Sequence, residues 1–340
     1  MTARGITYDT GFVNAGIATL RVLDPDAVRH DLAVIRDRLH CTAVRPTGGD
    51  QDRLELVSRL AVEAGLAVWY SPFTCDLTAD ESLDFLIDGA GRAERLRQAG
   101  GEVIFVCGAE LSFVNIGILP GERIEDRVPL LPAIHATTPL PADAADRLNA
   151  FFATAVPAVR AVFGGPLSYA STMAERVDWR PFDIVGVDAY RSAGGTPDFE
   201  EVLAGLVALG KPVAVTEFGS STYTGSAAKG ALAEDVVVWE GVDPVRLAVP
   251  CERDEREQAE NLVDLLGVFD RVGVAATFVH TFGFWHMAHR DDPETDLDRA
   301  GYGLVRFRGN GADAALRPRW EPKAAFHAIA GEHRRRRGRR

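Results

Sequence analysis

Val213-Ala-Val-Thr-Glu-Phe-Gly219 is an apolar run that meets a carboxylate and then a glycine. Its β-branched residues suit a strand covered on both faces, the normal situation in a parallel sheet. A glutamate directly after such a run is costly to bury unless it is paired or used. The same pattern stands upstream in Val103-Ile-Phe-Val-Cys-Gly-Ala-Glu110. Six more short β-rich runs lie around these two, at 5–12, 41–45, 66–72, 166–170, 184–190 and 276–285. Between them lie stretches with apolar residues at helical spacing, at 26–39, 51–64, 80–98, 142–163, 199–209 and 255–272, and a last one at 322–330. Several close on a glycine or proline turn, as at Gly100-Gly101 and Gly210-Lys-Pro212. Eight strands alternating with helices predict an α/β protein built as a (β/α)8 TIM barrel, a single domain over residues 1–332.

The rival fold is a doubly wound open sheet. If it bound a dinucleotide, a glycine-rich phosphate loop should follow the first strand, and Tyr8-Asp-Thr-Gly-Phe-Val-Asn14 is not one. Two insertions, 111–141 with His135 and 220–254, follow the fourth and seventh strands. They fall on the carboxyl side of the barrel, where substrate walls and lids are built.

The chain has 340 residues, 46% hydrophobic and 25% charged, which is ample for a large core and excludes disorder. A formal net charge of −12 argues against a nucleic-acid-coating surface. Residues 333–340 carry six arginines beside His333. This basic tail is expected to fray, and weak nucleic-acid contact would belong to it alone. Cys41, Cys75, Cys107 and Cys251 form no CxxC pair and read as reduced thiols. The start of the chain lacks an apolar signal region, and no stretch reaches ~18 apolar residues. The expectation is therefore a cytoplasmic protein with no membrane partner.

In such a barrel, catalytic groups sit at the carboxyl ends of strands. Here those positions hold Asp9, Arg45, Ser71, Glu110, Asp188, Tyr190, Glu217, His280 and Trp285. Strands four and seven face one another across the barrel mouth, and a pair of carboxylates flanking one bond is what glycoside hydrolysis requires. One must carry a proton and the other must be ionised, and their mutual repulsion helps to separate their pKa values. Asp9 and His280 are candidates for sugar hydroxyls, and Trp69 and Trp285 for a sugar-stacking face. Asp188 reads either as a hydrogen-bonded core carboxylate or as a substrate contact. His280, His286 and His289, with Asp291 and Asp292, have a spacing that could bind a divalent ion. They come from a single segment, so neither metal nor cofactor is expected. No Gly-x-Ser-x-Gly elbow or Walker loop is present.

These residues resemble the retaining glycoside hydrolase clan built on (β/α)8 barrels. The matching segments are Cys107-Gly-Ala-Glu110 and Thr216-Glu-Phe-Gly219. The resemblance implies Glu110 as acid/base, Glu217 as nucleophile, Arg45 and Tyr190 as groups that orient the nucleophile, and Trp285 as a sugar platform. Ala109 stands where the clan usually has an asparagine that contacts the sugar 2-hydroxyl. Four further segments, His40–Gly49, Trp69–Asp76, Gly301–Val305 and Trp320–Phe326, look like a bacterial family labelled abortive phage infection proteins. The reading is a glycosidase-like enzyme acting on a small sugar-containing substrate, with retention favoured. The alternatives are acid/base isomerisation or cyclisation of a non-sugar metabolite, or a non-catalytic sensing barrel in phage defence.

Overall fold

The computed structural model describes residues 3–14, 17–20, 22–127, 129–130, 140–193, 196–240, 243–308 and 320–337. Eight parallel strands form the barrel: β1 (Ala3–Asp9), β2 (Ala43–Gly48), β3 (Ala67–Pro72), β4 (Val103–Ala109), β5 (Leu167–Thr172), β6 (Val185–Asp188), β7 (Val213–Phe218) and β8 (Ala276–Val279). Each pairs with its neighbours in chain order, and β1 pairs with both β2 and β8, so the sheet closes without an edge. The expected (β/α)8 barrel is the fold.

Seven long helices surround the strands among the described residues: α1 (Pro25–Asp37), α2 (Gln51–Glu63), α3 (Ala79–Gln98), α4 (Ala142–Arg160), α5 (Thr196–Val207), α6 (Glu255–Val272) and α7 (Ala324–Arg337). Their starts are written in the sequence. The Asp24 and Asp50 side chains accept from the first-turn amides of α1 and α2, and Thr78 with Glu81 closes a reciprocal capping box on α3. Helix α6 stops at Gly273, whose φ of 89° few other residues tolerate. The β5–β6 connection, 173–184, has no helix. Trp179 and Phe182 close that side of the barrel against Phe152 and Tyr169.

The barrel interior explains one misreading. Trp69 does not reach the mouth: its ring lies 4.8 Å from that of Phe278 inside the barrel, among Ala43, Ala109, Ala170, Ala214 and Ala276. Two large rings fill the space that small residues on the other strands leave, as close packing of a barrel core demands. Gly5 belongs to the same arrangement, since a Cβ there would stand 2.3 Å from the Phe278 ring. Trp69 is thus a packing residue and not a substrate contact.

The tail is a second correction. Residues 333–337 do not fray but continue α7, and only 338–340 lie outside the described residues. His333 is fully buried, and its Nδ1 bonds the Leu39 carbonyl at 2.9 Å. Arg336 pairs with Asp270 on α6. The run of arginines hid an amphipathic turn whose one inward residue is a histidine.

Burial pushes the His333 imidazole down to about 3, so it is neutral in the fold and protonates only when released. Its contribution to stability is full above the unfolded-state value of about 6.5 and is lost as pH falls toward about 3. Wild type and His333→Phe compared by chemical denaturation should therefore diverge with pH. The stability difference should shift in favour of the variant by up to ~1.4 kcal/mol per pH unit below about 6.5. A pH-independent difference would contradict the buried neutral histidine.

Candidate active site

A cavity of about 310 Å³ opens at the carboxyl ends of the strands. Its acids are Asp9, Glu110, Glu217 and Glu234, and its aromatic walls include Phe12, Phe73, Tyr190, Trp239, Phe284 and Tyr302. It therefore brings together Asp9, Glu110, Tyr190, Glu217 and His280 from the residues singled out by sequence. Arg45 and Asp188 sit behind it, and Trp69 and Trp285 lie elsewhere.

Strand β7 carries Glu217 to the mouth. One carboxylate oxygen, Oε1, accepts from Arg45 Nη1 at 2.7 Å. The other, Oε2, accepts from the Tyr190 hydroxyl at 3.0 Å, with His280 Nδ1 at 3.5 Å. Arg45 has no exposed surface, and its Nε donates to Ser71 and its Nη1 also to the Thr216 carbonyl. Burial by itself pulls the Glu217 carboxyl up. The facing His280 and Arg45, with hydrogen bonds from Tyr190 and Arg45, outweigh it and hold the group below the ordinary glutamate range. Burial lowers His280 while the facing Glu217 raises it, and Arg45 is the permanent cation of the cluster. Burial raises Tyr190, which keeps its phenolic proton and donates it.

Asp188, at the end of β6, is the third member of this cluster. Its Oδ1 accepts from the Thr216 hydroxyl at 2.6 Å and stands 3.8 Å from Arg45 Nη1. Arg45 thus gives its short contact to Glu217. Burial and then Glu217 push the Asp188 carboxyl well up. Of its two readings, the core carboxylate is the one its position fits, since Asp188 does not line the cavity.

Glu110 follows β4 in a different environment. Its backbone is left-handed, with φ 48°, after Gly108 at φ 92° and a register shift between Val106 and Ala109. That conformation is unfavourable for a residue with a Cβ and persists where neighbours over-determine it. Here the Glu110 amide donates to the Ala170 carbonyl, and the next turn is pinned by Leu111 N–H on the Tyr169 hydroxyl and by Ser112 on the Glu175 carboxylate. Among the described residues nothing hydrogen-bonds the Glu110 carboxyl. Burial, then the nearby Asp188, Glu217 and Glu175, raise it well above the ordinary range. Two carboxyl groups in one cavity are driven in opposite directions.

Asp9 also lines the cavity, its Oδ1 accepting from Gly11 N–H at 2.8 Å. Burial carries it to about 6 against hydrogen bonds from Thr19 and Gly11. Thr19 and Phe12 reach the cavity beside a short hairpin, Val13–Asn14 with Ile17–Ala18, which lies beyond the 5–12 run. The insertion after β7 contributes Ala231, Glu234 and Trp239. Its 3-10 turn Gly230–Val236 is held by Tyr302, whose hydroxyl donates to the Gly230 carbonyl at 2.8 Å. In the insertion after β4, residues 131–139, with His135, lie outside the described residues.

Trp285 is the clearest correction. Strand β8 ends at Val279, six residues earlier than the apolar run suggests. The chain then turns so that Trp285, 2% exposed, packs inward against Phe282 and Phe307. The cavity face falls to Phe284 and to Trp239, which stacks at 29° on His286. His289 is turned away, with Asp296 at 2.8 Å and Arg253 at 3.3 Å. Glu175, Tyr169 and Glu234 escaped the sequence reading. The first two carried only the weak signal of polar groups in and just beyond β5, and Glu234 lies in an aperiodic insertion.

No family model and no curated protein matches the chain. Solved structures do. A GH113 β-1,4-mannanase superposes with a TM-score of 0.63 at 14% identity, over 98% of this chain and 99% of that one. A GH113 β-mannanase from Alicyclobacillus acidocaldarius gives 0.61 at 15% identity, over 98% and 97%. A family 1 β-glucosidase from Thermotoga maritima gives 0.55 at 12% identity, over 98% and 97%. At such identities the likeness is one of fold, and none of these comparisons supports the abortive-infection label.

Proposed function

We propose that this chain is a retaining glycosidase for a small β-linked glycoside, with Glu217 as nucleophile and Glu110 as acid/base. The observation that carries the reading is the opposite tuning of the two carboxyls around one cavity. The β-mannanase and β-glucosidase folds that superpose along the whole chain support the β-glycoside class.

In the first step a Glu217 oxygen attacks C1 as the bond from C1 to the leaving oxygen breaks. Glu110 gives its proton to that oxygen. In the second, Glu110, now a carboxylate, takes a proton from water, whose oxygen attacks C1. The C1–Oε bond breaks and Glu217 returns as a carboxylate. Arg45 and Tyr190 hold Glu217 by both oxygens and keep it ionised. Ala109 leaves the sugar 2-hydroxyl to another group. That departure also favours the rival of acid/base isomerisation, which would release no sugar.

The test is a panel of 4-nitrophenyl β-glucoside, β-mannoside and their methyl counterparts with wild type and Glu110→Gln. Activity should rise with pH as Glu217 ionises, below the ordinary glutamate range. It should fall as Glu110 loses its proton, above that range. Glu110→Gln should abolish the alkaline limb. It should also cost ~10²- to 10⁴-fold more on methyl glycosides than in the first step on nitrophenyl glycosides, which leave without protonation. No sugar release by wild type from any of the panel, or an unchanged alkaline limb in the variant, would defeat the reading.

A further inference from the structure

We infer that the substrate carries a protonated amine and that Glu234, on the wall made by the insertion after β7, pairs with it. The inference rests on the glycosidase reading and names its substrate class. Four acids line the cavity, and no lysine or arginine does among the described residues. Arg45 is sealed behind Glu217, and burial lowers both His280 and His286, His286 to about 4. The field inside is therefore negative at neutral pH and repels carboxylated or sulfated sugars.

The acids differ in what answers them. Glu217 has Arg45 and Tyr190, Asp9 has the Gly11 amide, and Glu110 has its proton to give. The Glu234 carboxyl has no hydrogen bond and no ion pair among the described residues, and burial alone carries it to about 7. It is not a side chain adrift in solvent. Its turn is fixed by the Tyr302 hydroxyl on Gly230, by the Ala233 amide on Tyr302 at 3.2 Å, and by the Tyr223 hydroxyl on the Ala233 carbonyl at 2.9 Å. Glu234 is half-buried in the cavity wall, where a carboxylate is normally paired, and the described residues supply no cation.

A second observation points to a ligand independently. Thr47 lines the same cavity, is 7% exposed, and its hydroxyl has no partner among the described residues. His286 Nδ1 is likewise unanswered. Buried polar atoms are rarely left so. Sugar hydroxyls satisfy Thr47 and His286, while an ammonium group satisfies Glu234. The ammonium can belong to the sugar ring or to the leaving group, and the probes below separate the two.

The experiment is calorimetric binding to the Glu110→Gln variant with and without Glu234→Gln. The probes are methyl β-glucoside, methyl 2-amino-2-deoxy-β-glucoside, 2-aminoethyl β-glucoside and methyl β-glucuronide. At least one amine should bind about tenfold tighter than methyl β-glucoside, a charge-assisted bond replacing a neutral one, and the glucuronide should bind more weakly than either. Glu234→Gln should erase the amine preference, so that amine and neutral glucosides bind alike, and added salt should shrink the preference where Glu234 is present. The amine that wins assigns the source. Binding of the neutral glucoside with no amine preference, or a preference that survives Glu234→Gln, overturns the inference and leaves the glycosidase reading standing. Binding of none of the four counts against both.

Discussion

Glu217→Gln should lower kcat/KM by about 10⁴-fold or more, some 5.5 kcal/mol of transition-state stabilisation. An amide in place of the carboxylate keeps the shape and can still accept from Arg45, but it cannot form a stable glycosyl ester with C1. The loss should fall on kcat, with KM for a neutral glycoside changing little, because the interaction removed is made only during reaction. Stability should also fall, since Arg45 is left buried at 2.7 Å from a neutral group, with Asp188 at 3.8 Å as the remaining acid. Steady-state kinetics and thermal melts read both. A variant that retained more than a few per cent of activity would remove Glu217 from the nucleophile's role.

Arg45→Met should cost about 3–5 kcal/mol of stability at neutral pH. Arg45 has no exposed surface and answers Glu217, the Thr216 carbonyl and Ser71 together. Removing it leaves a buried carboxylate with only the Tyr190 hydroxyl at 3.0 Å and His280 Nδ1 at 3.5 Å among the described side chains. The sign with pH follows. In wild type the lowered Glu217 pKa contributes stability at neutral pH that is lost only as pH falls through that low value. In the variant, burial prevails and the Glu217 pKa rises. Protonation then relieves the strain, and the stability gap between variant and wild type should narrow as pH falls. The acid limb of activity should move to higher pH for the same reason. Arg45→Lys should recover only part of either effect, because one ammonium cannot serve Ser71, Thr216 and Glu217 in their separate directions. A gap that widened on acidification would show that Arg45 does not hold Glu217 charged.

The barrel and the two glutamates were legible for one physical reason. An apolar strand that ends on a carboxylate is a local conflict, and both Glu110 and Glu217 present it. What escaped has equally definite causes. The run 276–285 reads as one strand because apolar character continues from β8 into a buried loop, so a periodicity argument cannot see the turn after Val279. Trp69 alternates correctly, but alternation does not tell the middle of a barrel from its mouth. His333 was hidden by the arginines around it. The wall bearing Glu234 and Trp239 belongs to an insertion without helical or strand period, and only the packing of Tyr302 and Tyr223 places it.

The most direct test of the two-glutamate mechanism is the mass of the protein after exposure to 2-deoxy-2-fluoro-β-glucosyl and β-mannosyl fluorides. Fluorine at C2 slows both steps by destabilising positive charge at C1, and the good leaving group lets the first step proceed, so a glycosyl-enzyme accumulates. The mechanism predicts a single added fluorosugar, on the peptide that contains Glu217, and none on Glu217→Gln. An adduct on any other residue would contradict it, as would turnover of a glycoside with inversion at C1 and no adduct.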